Sequence, residues 1–186
     1  MGKLDFFQGS KWLVRTGWMQ RGVPPSIGET VAQHSFEAAL LAMDMAFILR
    51  EEGFDVDPYK AAAMAVVHDL AEAVVGDIPR WTSVRLRGLK DELELEAVDE
   101  MGLDGGFKDL LAEYVAGSSL EANLVKLADH VSTCVQARRY MESGFRVDDI
   151  YENTRENAVA LVSTCCPVLR SYVLEACGGD SVPRLS

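Results

Sequence analysis

Positive charge is in short supply in this sequence. Its 18 lysines and arginines stand against 29 aspartates and glutamates, a net charge of −11. A nucleic-acid binder needs a basic footprint to neutralise phosphates, so the overall balance argues against DNA or RNA as a partner. Cysteine is also scarce. Cys134, Cys165, Cys166 and Cys177 include no C-x-x-C spacing, which removes the usual zinc and dithiol motifs. The adjacent pair is poor disulfide material, so all four read as free, mostly buried thiols of a reducing compartment. Long apolar runs are missing as well. The two richest stretches, around 38–49 and 61–75, are each interrupted by charge, and neither reads as a membrane span. The opening MGKLDFFQGSKW has no apolar run ahead of a small-residue cleavage site, which argues against secretion and makes a cytoplasmic address the expectation.

Strand signals are scarce too, since no run alternates apolar and polar residues between turn formers. What is there is helix. With 186 residues, 48% of them hydrophobic and 25% charged, the chain has the size of one compact soluble domain. A short opening helix is expected near 4–13, then a long Gly- and Pro-rich loop over 16–29. Thr30-Val-Ala-Gln33 has the form of a capping box and predicts a helix to about Glu52, stopped by Gly53. Asp57-Pro58 supplies an N-cap and first helical residue, and Gly76 closes the helix they open. A polar loop bearing Arg80, Arg85, Arg87 and Lys90 follows, and reads equally as an anion-binding stretch or as solvated surface. Helices are then expected over about 89–101, 105–116 and 119–142, the last with a second capping box at Ser118-x-x-Glu121. A final helix over about 148–176 ends before Gly178-Gly179. The expected architecture is an all-α, single-domain helical bundle spanning 1–186.

The chemistry concentrates in Ala61–Val75. This stretch is apolar on nearly every face, which marks a central buried helix, yet it carries His68, Asp69 and Glu72. Buried unpaired carboxylates cost several kcal/mol each, so they call for a compensating cation. Helical spacing puts Glu72 on one face with both His68 and Asp69. The bland alternative is a buried salt bridge, but a His-Asp-x-x-Glu cluster in so apolar a setting favours metal or catalytic use. His34 lies in the first turn of its helix, on the inward stripe of Ala38, Leu41, Met45 and Ile48. Alone it reads as a core histidine; beside His68-Asp69 it is a plausible third ligand. Asp129 stands mid-helix, where aspartate is a poor helix former, and a surface pair with Lys126 would also explain it. Periodicity does not choose between Asp129 and His130.

The order His34, His68-Asp69, Asp129 resembles the H…HD…D signature of HD-domain metal-dependent phosphohydrolases. The string His68-Asp-Leu-Ala-Glu72-Ala-Val-Val-Gly-Asp77-Ile-Pro79 is more specific, and is similar to the core motif of the 5′-deoxynucleotidase (YfbR-like) branch. Arg15-Thr-Gly-Trp18, Glu29-Thr-Val-Ala-Gln-His34 and Leu127-Ala-Asp129 followed by Gln136-Ala resemble that branch too. The motif-bearing core is thus about 10–145. The resemblance selects Asp129 over His130 and implies one divalent transition metal (Co, Mn, Zn or Ni) held by His34, His68, Asp69 and Asp129. It implies that Glu72 deprotonates the attacking water, that Asp77 assists the water or the leaving group, that Arg15 holds the phosphate and that Trp18 shapes the sugar pocket. Gly17 stands where the bacterial deoxynucleotidases place that arginine, so Arg21 is a rival to Arg15. The implied reaction is hydrolysis of deoxyribonucleoside 5′-monophosphates, and the implied assembly is a homodimer. Two other readings stay open: an HD-type hydrolase of another nucleotide or phosphoester, and a non-catalytic metal-bound sensor, which would have no need of Glu72 and Asp77.

Overall fold

Thr30 opens the first long helix as its sequence predicts. Its hydroxyl accepts the Gln33 N–H at 3.2 Å while the Gln33 side chain accepts the Thr30 N–H at 2.9 Å, satisfying two of the free donors at a helix start. In this computed structural model, which describes residues 2–86 and 88–179, that helix is α3 (Val31–Glu51). It follows α1 (Lys3–Trp12) and α2 (Thr16–Met19). Asp57 caps α4 (Pro58–Val67) by accepting the N–H groups of Tyr59 and Lys60. Beyond it come α5 (Glu72–Val75), α6 (Arg80–Leu86), α7 (Leu89–Glu100), α8 (Gly105–Ala116), α9 (Leu120–Glu142), α10 (Asp148–Cys165) and α11 (Arg170–Ala176). The described residues contain no strand, only an isolated antiparallel bridge between Val14 and Thr30.

The core is built where α3, α4, α9 and α10 meet. Ala38, Ala42, Met45 and Leu49 from α3 pack with Ala61, Met64 and Ala65 from α4, Leu124, Leu127 and Val131 from α9, and Tyr151 and Val162 from α10. The alanines let helices approach closely, and each buried Leu or Met contributes about 1.5–3 kcal/mol of transfer free energy. A smaller cluster of Ala71, Ala97, Val98 and Leu111 seats α7 and α8 against the turn after α4. That satellite closes one side of the candidate site.

Several expectations are corrected. The loop over 16–29 contains a helical turn, α2, and is tied to α3 by the Val14–Thr30 bridge. The helix expected from 57 to 76 ends at Val67 and resumes only as α5. Nor is it buried all round: Val66 and Val74 are 54% and 42% exposed. The Arg-bearing loop is largely a helix, α6; Arg87 lies outside the described residues. The N-cap of α9 is Ser119, whose hydroxyl accepts from Ala122 N–H, rather than Ser118, because Glu121 instead accepts the Asp57 N–H and joins two helix starts. The last helix breaks at Cys166-Pro167, where proline has no N–H to continue the ladder, and a short 3₁₀ turn leads into α11.

Candidate metal centre

The break in α4 places the chemistry. After Val67 the backbone bonds run three residues back: Leu70 N–H to Val67 O, Glu72 to Asp69, Ala73 to Leu70 and Val74 to Ala71. Tightening of this kind stacks side chains three apart, so Asp69 and Glu72 stay together although the helix does not run through them. A local cause is visible. His68 Nδ1 lies 2.7 Å from the Ala65 carbonyl, competing for the acceptor that a continuing helix would give to the Asp69 N–H.

The same contact fixes the ring. A carbonyl only accepts, so Nδ1 carries a hydrogen and Nε2 is the nitrogen left to face the site. His34, from the first turn of α3, is fully buried, and its Nε2 lies 3.1 Å from Asp129 Oδ1 and 3.7 Å from Asp69 Oδ2. His68 Nε2 lies 3.2 Å from Asp69 Oδ2. Atoms of His34, His68 and Asp129 that can ligate a metal all fall within 4.8 Å of one another. Both Nε2 atoms are buried without a well-formed hydrogen bond, an expensive arrangement for polar atoms unless a cation belongs between them. Two imidazoles with two carboxylates suit a borderline divalent metal, so the residues fit the group. Lys126 does not pair with Asp129; its Nζ lies over the Tyr114 ring and donates to Val115 O. The metal-competent group of three found among the described residues includes neither His130 nor Asp69; Asp69 is brought to its edge by the contacts of its Oδ2 with the two Nε2 atoms.

Electrostatics separate the carboxylates. Burial pushes Asp69 and Asp129 upward, but the neighbouring imidazoles outweigh it and hold both below the usual carboxylate range. Burial also pushes His68 down, yet Asp69 overrides it and raises the imidazole to about 9. Glu72, only 5% exposed, is pushed up to about 10 by burial and then by the charges of Asp69 and Asp77. Without a cation it therefore holds a proton at neutral pH.

Arg15 enters this site and Arg21 does not. Arg15 Nη1 lies 3.1 Å from His34 Nδ1 and donates to Thr133 Oγ1 at 3.0 Å, while Arg21 pairs at the surface with Asp149 at 2.5 Å. Trp18 is 2% exposed and packs edge-on to Tyr140; it lies behind Arg15 rather than on an open wall. Asp77 accepts the Thr16 N–H, and the Thr16 hydroxyl donates to the Asp77 carbonyl, which pins the Arg15 loop to the Gly76–Pro79 turn. Two features escaped sequence reasoning. Glu29 is 7% exposed and accepts from both Arg15 and Trp18; in the sequence it opens the Glu29-Thr-Val-Ala-Gln-His34 string but carries no role. Lys90 and Glu94 form a 2.7 Å pair in which Glu94 is 3% exposed. Their four-residue spacing on a helix was the available signal. The Lys90 ammonium is stabilised, against the opposing effect of burial, by Glu94 and then by Asp69 and Glu72.

Residues 8–160 match the protein family described as HD domain. The chain belongs to that family. Among its relatives is the 5′-deoxynucleotidase HDDC2 of Dictyostelium discoideum, 32% identical over 169 residues that cover 82% of this chain and 87% of the relative. The human 5′-deoxynucleotidase HDDC2 is 30% identical over 153 residues, covering 77% and 71%. In three dimensions the chain is similar to the PH0347 protein of Pyrococcus horikoshii OT3, with a TM-score of 0.82, 32% identity and coverage of 94% and 96%. The all-α fold of the HD family is thereby established for this chain.

Proposed function

We propose that the chain, acting as a single domain, is a metal-dependent phosphohydrolase that cleaves deoxyribonucleoside 5′-monophosphates to deoxynucleoside and inorganic phosphate. The observation that carries this reading is the convergence of two orphaned imidazole nitrogens, two carboxylates and a proton-holding glutamate beside a partly buried arginine. The deoxynucleotidase relatives support the substrate class.

A divalent transition metal (Co, Mn, Zn or Ni) held by His34, His68, Asp69 and Asp129 would supply Lewis acidity and screen the phosphate's charge. The remaining steps belong to the chain. Arg15 offers a planar fork to two phosphate oxygens, which a lysine could not match. Trp18 backs that fork and fixes its height. Glu72 takes a proton from the attacking water; a cation nearby draws its raised pKa down towards the working range. The new P–O bond forms as the P–O5′ bond breaks, and Asp77 or the protonated Glu72 returns a proton to the departing 5′ oxygen. The net charge of −11 suits a mononucleotide better than a polymer.

We further propose a homodimer and a cytoplasmic address. Phe36, Leu40 and Phe47 leave an apolar stripe on the outer face of α3, 66%, 48% and 40% exposed, of the kind a second copy covers. The four cysteines are free although Cys165 Sγ and Cys166 Sγ lie 3.0 Å apart, which suits a reducing compartment. Sedimentation at micromolar concentration tests the dimer, and a monomer there removes it.

The test of the reaction is phosphate release by metal-stripped protein with each metal added back. Its panel is deoxy- and ribonucleoside monophosphates, triphosphates and cyclic dinucleotides. Metal-dependent release confined to deoxynucleoside monophosphates is expected. Release from another class replaces the substrate, and none with any metal leaves the sensor reading ahead.

A further inference from the structure

We propose that Glu29 is a positioning residue that links the metal centre to the phosphate-binding arginine, serving His34 through one carboxylate oxygen and Arg15 and Trp18 through the other. The inference rests on the reading of His34 as a ligand and Arg15 as the phosphate contact. Glu29 Oε2 accepts from Trp18 Nε1 at 2.9 Å and from Arg15 Nη1 at 3.3 Å. Its Oε1 lies 3.9 Å from His34 Nδ1. One nearly buried carboxylate therefore faces both halves of the site.

The two histidines differ in how their outer nitrogens are served. His68 Nδ1 already has the Ala65 carbonyl as its acceptor. His34 Nδ1 instead faces Arg15 Nη1 at 3.1 Å. A guanidinium can only donate, so here the His34 proton sits on Nε2, towards Asp129. A histidine that gives its Nε2 lone pair to a cation must carry its hydrogen on Nδ1, and that hydrogen seeks a carboxylate, carbonyl or water. Nδ1–H and Arg15 N–H are then two donors face to face. Arg15 must withdraw from the ring, and Glu29 Oε1 is a carboxylate beside it. The proton changes ring nitrogen, and no charge enters or leaves. Arg15 remains tethered by Glu29 Oε2, with donors released for a phosphate.

Ser132 Oγ, 3.3 Å from the same nitrogen, is the competing acceptor: it donates its hydrogen to Glu37 at 2.9 Å and keeps its oxygen lone pairs, but it is a neutral acceptor. The carboxylate adds charge to the hydrogen bond and is the stronger partner for a metal-bound imidazole. The backbone of Glu29 is secured independently: its N–H donates to Tyr140 Oη and its carbonyl accepts the Arg15 N–H. Removing the side chain thus leaves the loop anchored.

The test compares Glu29→Ala, Glu29→Gln and Ser132→Ala with wild type, measuring metal affinity of the stripped protein by competition with a chelator. Glu29→Ala should weaken binding by about 10–100-fold. Glu29→Gln, which keeps a neutral acceptor, should fall between, and Ser132→Ala should stay within about threefold. In wild type, adding metal should move the Trp18 indole N–H resonance, and in Glu29→Ala it should not. Neither readout needs turnover, so the proposal survives or fails apart from the assignment of substrate. Wild-type metal affinity in Glu29→Ala overturns it. So does a Ser132→Ala loss larger than that of Glu29→Ala, or a KM rise in Glu29→Ala without any change in metal affinity. If Glu29→Ala does not fold, Glu29→Gln with unaltered affinity overturns it equally.

Discussion

Asp69 and Glu72 stand one tight turn apart, both withdrawn from water, yet they hold opposite protonation states. Asp69 faces the imidazoles of His34 and His68, which keep it ionised against its burial. Glu72 faces Asp69 and Asp77, which add their repulsion to desolvation and raise it to about 10. Pairs of carboxylates pushed apart in this way mark a division of labour between charge carrier and proton carrier. Glu72→Gln should therefore resemble the protonated wild type in shape and charge when metal is absent. Its metal content and its melting temperature at pH 7 should match wild type or exceed it. Turnover on a deoxynucleoside monophosphate should fall at least ~100-fold. Mass-spectrometric metal analysis beside steady-state kinetics checks both halves, and turnover within about threefold of wild type removes Glu72 as the base.

At the scale of elements, the site depends on a loop packed so closely at Gly28 that no side chain fits there. Gly28 is buried, and a Cβ there would meet Val14 Cγ1 at 2.5 Å and the Pro24 carbonyl at 3.4 Å. Val14 is β-branched and stiff, and it forms the bridge with Thr30 that sets Arg15 beside Glu29. Gly28→Ala should cost about 1–3 kcal/mol, as overpacking does, and should raise KM more than it lowers kcat. A denaturant melt with matched kinetics measures both, and an unchanged KM would show that Arg15 does not depend on the bridge. The starts of α3 and α4 were legible because capping chemistry is local: Thr30 with Gln33, Asp57 with Pro58. The cluster of His68, Asp69 and Glu72 was legible because polar residues stand out in an apolar stretch. The break at His68 was not, since Ala-Val-Val-His-Asp-Leu-Ala-Glu contains no helix breaker and the competing hydrogen bond exists only once the ring is buried. Glu29 was hidden for a similar reason: a loop has no period, and its value comes from Arg15, Trp18 and His34 brought together by tertiary packing.

For the whole molecule, stability in the absence of metal should fall as pH rises, in the same direction as the self-repulsion of its net negative charge. The carboxyl of Glu72 ionises near 4.5 in the unfolded chain but near 10 in the fold, so the folded state binds the extra proton across that window and loses stability as pH climbs through it. His68 acts in the same direction: its pKa rises from 6.5 to about 9, a contribution complete below 6.5 and lost on approach to 9. Asp69 and Asp129, held below their ordinary 3.8, contribute above that value and lose their share as pH falls through it. Metal-free protein should be most stable near pH 4–6 and soften towards pH 9. Metal binding needs neutral imidazoles and ionised carboxylates, so its share of the stability grows with pH over the same range. The gap in melting temperature between metal-loaded and stripped protein should thus widen from pH 5 to pH 8, and Glu72→Gln should flatten the decline of the stripped form. Scanning calorimetry at fixed ionic strength reads both curves. Parallel curves would mean that the buried charges are balanced by something other than a metal.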